Sequence, residues 1–296
     1  MNNFKGKVIP SQVQIETVAG YCNIKCIMCP IEKSIRKEIM TNDFFESIVQ
    51  RLLPIKDDIK IFTILGLGET LLDKGVVEKV KTAKKYGFTE VGVFSNGIAL
   101  EKELSIELIN AGLDVFIFSI DGFSKEIYES IRVGSNLDKV VYNIDNLIEQ
   151  REKLNPKVKI IIRFTKQEMN EHEWESFLNF WSTKLKKGDA VFRYDIHNVG
   201  HVVENDVNIN LKNLKCPEIY KRMIIFSDGN VGLCCADQFG HYDIGNIIDT
   251  DPVELYNNKL FTHYREEMNK GNIFDLELCK NCTVAYSTAE SKHEFL

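Results

Sequence analysis

Two patterns of hydrophobic and polar positions alternate along the first two thirds of the chain. Short apolar runs rich in β-branched and aromatic residues predict buried strands at residues 12–18, 59–65, 90–95, 114–120, 157–164 and 189–196. Longer stretches with apolar residues at helical spacing predict helices at residues 42–53, 74–86, 102–110, 138–153 and 171–186. Gly87 and Gly112 mark the ends of two of these helices. Six strands alternating with helices favour a parallel sheet, and we predict an open, partial (β/α)6 barrel of the TIM type.

The pattern changes near residue 200, where a polar, loop-like stretch begins. Beyond it, the segment RMIIFSDGNVGLCC predicts a β-hairpin with a turn at Asp228–Gly229. Helical patterns follow at residues 252–257 and 260–270. We therefore divide the α/β chain into a core domain at residues 11–205 and a small C-terminal domain at residues 206–296.

Composition excludes several classes of partner. The chain has 296 residues, 44% of them hydrophobic, which is enough for one large core or two smaller ones. A net charge of −6 does not suit a nucleic-acid partner, which needs a basic face. No apolar run resembles a signal peptide or reaches the roughly 20 residues of a membrane helix. We therefore expect no membrane association and a cytoplasmic location, where clustered cysteines more often hold metal than form disulfides.

Three of the eight cysteines lie together in CNIKCIMC, as Cys22, Cys26 and Cys29. They follow the first predicted strand, and the loops after the strands carry the chemistry of α/β barrels. A structural zinc site needs four ligands. Three thiolates instead suit an iron–sulfur cluster that keeps one iron open to another ligand.

This spacing, C-x3-C-x2-C after the first strand of a partial barrel, resembles the radical S-adenosylmethionine (SAM) superfamily. Three further strand-end motifs are similar to those of the family: GLGET after the second strand, SNG after the third, and SIDG at the end of the fourth. Met28 stands where the family often has an aromatic residue, and Thr70 stands where it often has proline. The resemblance spans roughly residues 12–200.

The resemblance implies contacts to SAM. The GLGET backbone would bind the methionine amino group of SAM, Ser119 and Asp121 would bind the ribose, and Arg132 would bind the SAM carboxylate. These pairings are chemically suitable, because a diol donates hydrogen bonds to a carboxylate and a guanidinium pairs with a carboxylate. The full predicted set is Gly66, Gly68, Glu69, Ser95, Asn96, Ser119, Asp121 and Arg132. In such enzymes a reduced [4Fe-4S] cluster cleaves SAM to a 5′-deoxyadenosyl radical, which removes a hydrogen atom from the substrate. An electron donor such as flavodoxin or ferredoxin is then a partner.

Four later cysteines form a second group. Cys216, Gly229 and Cys234 follow a C-x12-G-x4-C pattern, and CKNC supplies Cys279 and Cys282. The pattern resembles SPASM and twitch domains, and the short form implies one auxiliary [4Fe-4S] cluster. Structural zinc is the rival for a four-cysteine site.

Cys235 is left over. It is either a small buried residue beside a ligand or, as in some related radical epimerases, a hydrogen-atom donor. Two outcomes therefore stay open: oxidation through the auxiliary cluster, as in twitch aminocyclitol dehydrogenases, or inversion of a carbon by Cys235.

The predicted substrate is a small hydroxylated molecule of the sugar or aminocyclitol type. About a dozen residues precede the first predicted strand, so we expect no separate peptide-binding domain there. Alternatives are a peptide-modifying maturase or epimerase and a non-catalytic iron–sulfur or zinc protein.

Several other polar residues have two interpretations. Arg163, Arg193, Tyr194 and Asp195 lie at the ends of late strands and face either the substrate or the surface. His197 and His201 are expected in a solvated loop rather than as a metal pair.

Overall fold

The structure is a computed structural model that describes residues 4–196, 216–280, 282–284 and 292–295. The strands in these ranges are β1 Gln12–Ile15, β2 Val18–Ala19, β3 Lys25–Cys26, β4 Glu38–Ile39, β5 Ile61–Ile64, β6 Val91–Ser95, β7 Val115–Ser119, β8 Arg132–Val133, β9 Lys159–Lys166, β10 Ala190–Asp195, β11 Arg222–Ile225, β12 Val231–Gly232 and β13 Lys292–Phe295. The helices are α1 Asn42–Arg51, α2 Val76–Lys85, α3 Lys102–Asn110, α4 Lys125–Ile131, α5 Leu137–Leu154, α6 Trp174–Lys184, α7 Glu218–Lys221, α8 Pro252–Tyr256 and α9 Lys259–Lys270.

Nine of the described strands form one sheet, in the order β12-β11-β1-β5-β6-β7-β9-β10-β13. The six strands predicted from the sequence are its consecutive centre and pair with one another in parallel, while β13 pairs antiparallel with β10 at the edge. This confirms the α/β class with a parallel core. The C-terminal hairpin extends the same sheet, because β11 pairs in parallel with β1 while β12 runs antiparallel to β11. Gly229 has a φ of +85° in the hairpin turn, a conformation that glycine adopts without strain.

Residues on one side of the strands pack against the helices. Phe62 of β5 meets Phe45 of α1 with ring centroids 6.1 Å apart, and Phe164 of β9 meets Phe177 of α6 at 4.8 Å. All four side chains are fully buried, and each contributes about 1.5–3 kcal/mol to folding by its removal from water. Side chains at the alternate positions point to the inside of the curved sheet. The outer face of the sheet therefore stabilises the fold through its packing on the helices, and the inner face carries the residues available for chemistry.

A buried ion pair links helix α5 to the residue before strand β10. Nη1 of Arg151 in α5 lies 2.7 Å from the Asp189 carboxylate, which also accepts a hydrogen bond of 2.8 Å from the Ile160 backbone. Asp189 directly precedes β10, so this pair lies at the amino ends of the strands.

Some elements differ from the prediction. The strand predicted at residues 12–18 ends at Ile15, and the chain turns there into the short strand β2. The helix predicted at residues 171–186 begins with a 3-10 turn at Glu171–Glu173, and α6 follows it. Helix α4 was not predicted; Ser124 caps it by accepting a hydrogen bond from the Ile127 backbone. Such a short helix has too few turns to show a periodicity.

Within the described ranges, no helix combines the length and apolar character needed to cross a membrane. The predicted domain boundary near residue 205 lies outside these ranges, as do His197 and His201.

Candidate active site

The cysteine loop follows β1 and lies at the carboxyl ends of the parallel strands. The short strand β3 pairs with β8, and this places Cys26 opposite Arg132. The Ile27 backbone also donates to the Ile131 carbonyl at 3.0 Å. The loop is therefore held by the segment that follows the fourth barrel strand.

The three thiols of this loop influence one another. Burial raises the pKa of Cys26 to about 11; the charge of Arg132 lowers it, and the thiols of Cys29 and Cys22 raise it. Nη1 of Arg132 lies 3.6 Å from the Cys26 sulfur, and the Asn96 amide nitrogen lies 3.8 Å from the Cys22 sulfur. Three sulfur donors with a cation and an amide beside them fit an iron–sulfur cluster, because these donors stabilise thiolate charge.

Glu69 is the centre of a network that joins three loops. Its buried carboxylate accepts hydrogen bonds from the Ser95 hydroxyl at 2.7 Å, the Leu71 backbone at 3.0 Å and the Asn96 backbone at 2.9 Å. The Asn96 side chain in turn donates to Asn23 at 2.7 Å. Burial raises the pKa of Glu69, and these hydrogen bonds lower it. Three predicted residues thus meet next to the cysteine loop, and the Glu69 carboxylate positions the other two.

The GLGET loop lies directly against the segment that follows β1 and leads into the cysteine loop. A Cβ atom at Gly66 would lie 2.2 Å from the Cγ of Glu16, and one at Gly68 would lie 2.5 Å from the backbone oxygen of Val18. The Glu69 backbone donates to the Tyr21 carbonyl at 2.9 Å. Both glycines are therefore needed for the close approach of this loop to the cysteine loop.

Gly68→Ala is expected to lower the free energy of unfolding by about 1–3 kcal/mol and to weaken SAM binding. The Val18 backbone cannot move aside, so the GLGET loop must shift. Gly92→Ala is the control, because a Cβ atom there meets the flexible Cδ1 of Ile117 at 3.2 Å. Chemical denaturation and SAM titration of both variants test this; equal SAM affinities in the two would contradict it.

Asp121 and Arg132 form a buried ion pair of 2.6 Å. The Asp121 side chain is fully buried and also accepts a hydrogen bond of 2.7 Å from the Thr165 backbone. Ser119 ends β7 close by. The structure brings these predicted residues together and pairs two of them with each other; their contacts to SAM stay predictions. Nε of Arg132 is buried without a hydrogen-bond partner among the described residues, which fits a bound carboxylate.

A cavity of about 340 Å³ opens inside the curved sheet. Barrel residues at inward positions line one part, and residues of the C-terminal region line the other. The lining includes Gln14, Glu16, Phe94, Ile117, Arg163, Phe192, Tyr194, Glu218, Arg222, Phe226 and Cys235. Both parts of the chain therefore form one cavity.

Glu16 has a structural role that sequence reasoning missed. It is buried, its carboxylate lies 2.9 Å from Nε of Arg36, and it accepts a hydrogen bond from the Leu67 backbone at 2.9 Å. Arg36 also donates to the carbonyls of Gln238 and Phe239. The pair joins the barrel to the C-terminal region. The sequence feature that indicates such a role is a charged residue directly after an apolar strand.

The late-strand residues divide between the two faces of the sheet. Arg163 and Tyr194 line the cavity. Arg193 lies over the Trp174 ring, 5.0 Å from its centroid, and Asp195 pairs with Lys166 at 2.9 Å. Of the four, we therefore assign only Arg163 and Tyr194 to the site.

The later cysteines line a second, smaller pocket. They are Cys216, Cys234, Cys235, Cys279 and Cys282. Burial, together with the neighbouring thiols of Cys282 and Cys216, raises the pKa of Cys279. Cys235 and Glu218 line this pocket and the cavity alike, and burial and the charge of Glu218 raise the pKa of Cys235. Four sulfur donors beside Cys235 fit a cluster held wholly by protein.

In the described residues, no three Cys, His, Asp or Glu side chains converge as ligands of a single metal ion. The ligands of an iron–sulfur cluster bind separate irons, so their sulfurs need not converge so closely. All eight cysteines are free of disulfides.

Two families match this chain. The family described as the Radical SAM superfamily matches residues 17–180, and the SPASM family, described as an iron–sulfur cluster-binding domain, matches residues 216–283. A probable GTP 3′,8-cyclase of Methanothermobacter marburgensis is 31% identical over 165 residues, which are 54% of this chain and 51% of that protein. The chain thus spans about half the length of this curated relative.

Solved structures share the fold at low sequence identity. The crystal structure of BtrN in complex with AdoMet and 2-DOIA has a TM-score of 0.64 and 18% identity, covering 93% of this chain and 94% of that one. Streptococcus suis SuiB bound to precursor peptide SuiA has a TM-score of 0.70 and 15% identity, covering 87% of this chain and 67% of that one.

Proposed function

The chain belongs to the radical SAM superfamily, and we propose that it takes a hydrogen atom from a carbon of a small hydroxylated substrate and inverts that carbon. The substrate would be of the sugar or aminocyclitol type. The observation that carries this proposal is the cavity of about 340 Å³ that barrel residues share with Cys235. Its size falls within the range of small-molecule sites.

SAM and iron–sulfur clusters are the cofactors. Cys22, Cys26 and Cys29 would hold the cluster that binds SAM. The auxiliary cluster would be held by Cys216, Cys234, Cys279 and Cys282. Together, SAM and the first cluster supply a 5′-deoxyadenosyl radical that can take hydrogen from an unactivated carbon.

In this proposal Cys235 donates a hydrogen atom to the substrate radical from the opposite face. The carbon–hydrogen bond forms again, the sulfur–hydrogen bond breaks, and the configuration inverts. The sulfur then needs one electron and one proton to regain its hydrogen. The external donor, of the flavodoxin or ferredoxin class, would supply the electron. Support comes from the position of Cys235 on the cavity wall.

Oxidation is the second candidate, and one observation favours it. Cys235 and Glu218 line both the cavity and the auxiliary pocket, so a substrate radical would lie beside the auxiliary site. The radical would then lose one electron to that site and one proton, and the product would be a ketone.

The test is a screen of sugars and aminocyclitols with anaerobically reconstituted enzyme, SAM and reductant in D2O. Inversion yields a product heavier by one deuterium, whereas oxidation yields one lighter by two hydrogens. Cys235→Ala is expected to keep 5′-deoxyadenosine formation and to lose the deuterated product. Normal deuterated product from this variant would rule out Cys235 as the donor.

The screen also includes GTP and peptides, because relatives carry these in their names. Turnover of either one in place of the hydroxylated compounds would overturn the proposed substrate class. We further propose a cytoplasmic location, supported by eight cysteines free of disulfides.

A further inference from the structure

We propose that the substrate carries an oxyanion, a carboxylate or a phosphate, and that Arg163 binds it. This inference rests on the proposed function, because it describes the substrate of the same cavity. It starts from one cation on the cavity wall that has no counter-charge in the described part of the chain.

Arg163 lies on β9 at an inward position. Its register partners are Ser119 of β7 and Phe192 of β10. The guanidinium lies 4.5 Å from the ring centroid of Tyr194 and 5.4 Å from that of Phe94. Two aromatic rings therefore hold the cation in place, and both rings line the cavity as well.

Arg163 has an unsatisfied donor. Among the described residues, its buried Nε has no hydrogen-bond partner, and no carboxylate forms an ion pair with it. A half-buried guanidinium without a carboxylate partner among the described residues is costly, because burial removes part of its hydration. A bound anion would remove this cost.

The two carboxylates that line the cavity are already paired. Glu16 pairs with Arg36 at 2.9 Å. Glu218 pairs with Lys221 and with Arg222, each at 2.8 Å. Arg222 also lines the cavity but lies 2.8 Å from the Glu218 carboxylate, so Arg163 is the lining cation without a carboxylate partner among the residues that the structure describes.

The SAM carboxylate is the other occupant to consider. Arg132 is its predicted partner, because Nη1 of Arg132 lies 3.6 Å from the Cys26 sulfur and its buried Nε has no partner in the part of the chain that the structure describes. Arg163 instead shares a cavity with Cys235, the proposed hydrogen donor. A guanidinium binds carboxylate or phosphate through paired, charge-assisted hydrogen bonds, and the substrate is therefore the occupant that we assign.

The experiment measures binding to the reconstituted holoenzyme with saturating SAM at fixed ionic strength. The probes are glucose, glucuronate and glucose 6-phosphate, together with acetate and inorganic phosphate. At least one anion is expected to bind about 10-fold or more tightly than glucose, as a charged hydrogen bond predicts. The better of the two anion types identifies the group as carboxylate or phosphate.

Three variants test the assignment to Arg163. Arg163→Gln is expected to abolish the preference for anions, and Arg163→Lys to keep part of it. Arg193→Gln is the control, since Arg193 packs on Trp174 outside the cavity. SAM affinity is expected to stay the same in all three.

Two results would overturn the inference. These are the absence of saturable anion binding at tens of millimolar and an anion preference that survives Arg163→Gln. Weakened SAM binding together with the second result would show that Arg163 serves SAM instead. The assay needs no turnover. Absence of anion binding with normal 5′-deoxyadenosine formation would therefore contradict this inference alone. Anion binding without SAM cleavage would contradict the proposed function.

Discussion

Cys26→Ala is expected to reduce 5′-deoxyadenosine formation to the level found without enzyme. Cys26 is one of three thiols on the loop beside Arg132. A four-iron cluster that binds SAM leaves one iron open, so each of the other three irons needs a thiolate. The iron content should fall from about eight per chain to about four, since the auxiliary site is untouched. Iron analysis and chromatography of the reaction mixture measure both effects.

Two variants serve as controls for this loss. Ile27→Ala changes an exposed residue of the same loop and is expected to leave iron content and SAM cleavage unchanged. Cys279→Ala also loses about half the iron but should keep SAM cleavage. Oxidation, which needs the auxiliary site, should end in this variant, whereas inversion should continue with the external electron donor. Full iron and normal 5′-deoxyadenosine formation in Cys26→Ala would show that Cys26 is not a ligand.

Asp121→Asn is expected to lower the free energy of unfolding by about 3–5 kcal/mol, the range for breaking a buried ion pair from one side. The remaining Arg132 is buried, and an asparagine NH2 replaces an oxygen that now accepts a hydrogen bond from Arg132 or Thr165. Arg132 also pairs through its backbone with Cys26. We therefore expect a loss of SAM affinity and of cluster content in addition to the loss of stability.

Asp189→Asn is the matched control for this prediction. Asp189 and Arg151 form an equally buried pair, but at the opposite, amino ends of the strands. A similar loss of stability is expected, with SAM affinity and iron content unchanged in the protein that remains folded. Equal SAM affinity in the two variants would mean that the Asp121–Arg132 pair serves stability only.

Much of the fold was predictable because it depends on local patterns. The six parallel strands and seven of the helices, α8 and α9 included, follow from short apolar runs and helical periodicity. The short helix α4 and the strand β8 were not predicted. Both have too few residues to show a pattern, and β8 exists because it pairs with β3 across a long separation along the chain.

The residues of the site were predictable from the sequence, but the hydrogen bonds and ion pairs between them were not. Glu69, Ser95 and Asn96 were each singled out as strand-end residues, but their hydrogen-bond network needs two loops and the cysteine loop to meet in space. Glu16 and Arg36 were missed, because neither belongs to a motif and their pairing also reaches residues more than 200 positions away. Arg163 and Arg193 looked alike in sequence, yet one lines the cavity and the other packs on a helix.

The sequence by itself determined the fold class, the alternation of strands and helices, and the two cysteine groups with their motifs. Periodicity and short spacings record such features directly, because they depend on neighbours along the chain. Only the tertiary structure decided that β11 extends the barrel sheet, that Cys235 lies on the cavity wall, and that Arg163 lacks a counter-charge in the described residues. These depend on which distant residues meet, and burial and charge pairing across such contacts leave no local pattern in a single sequence.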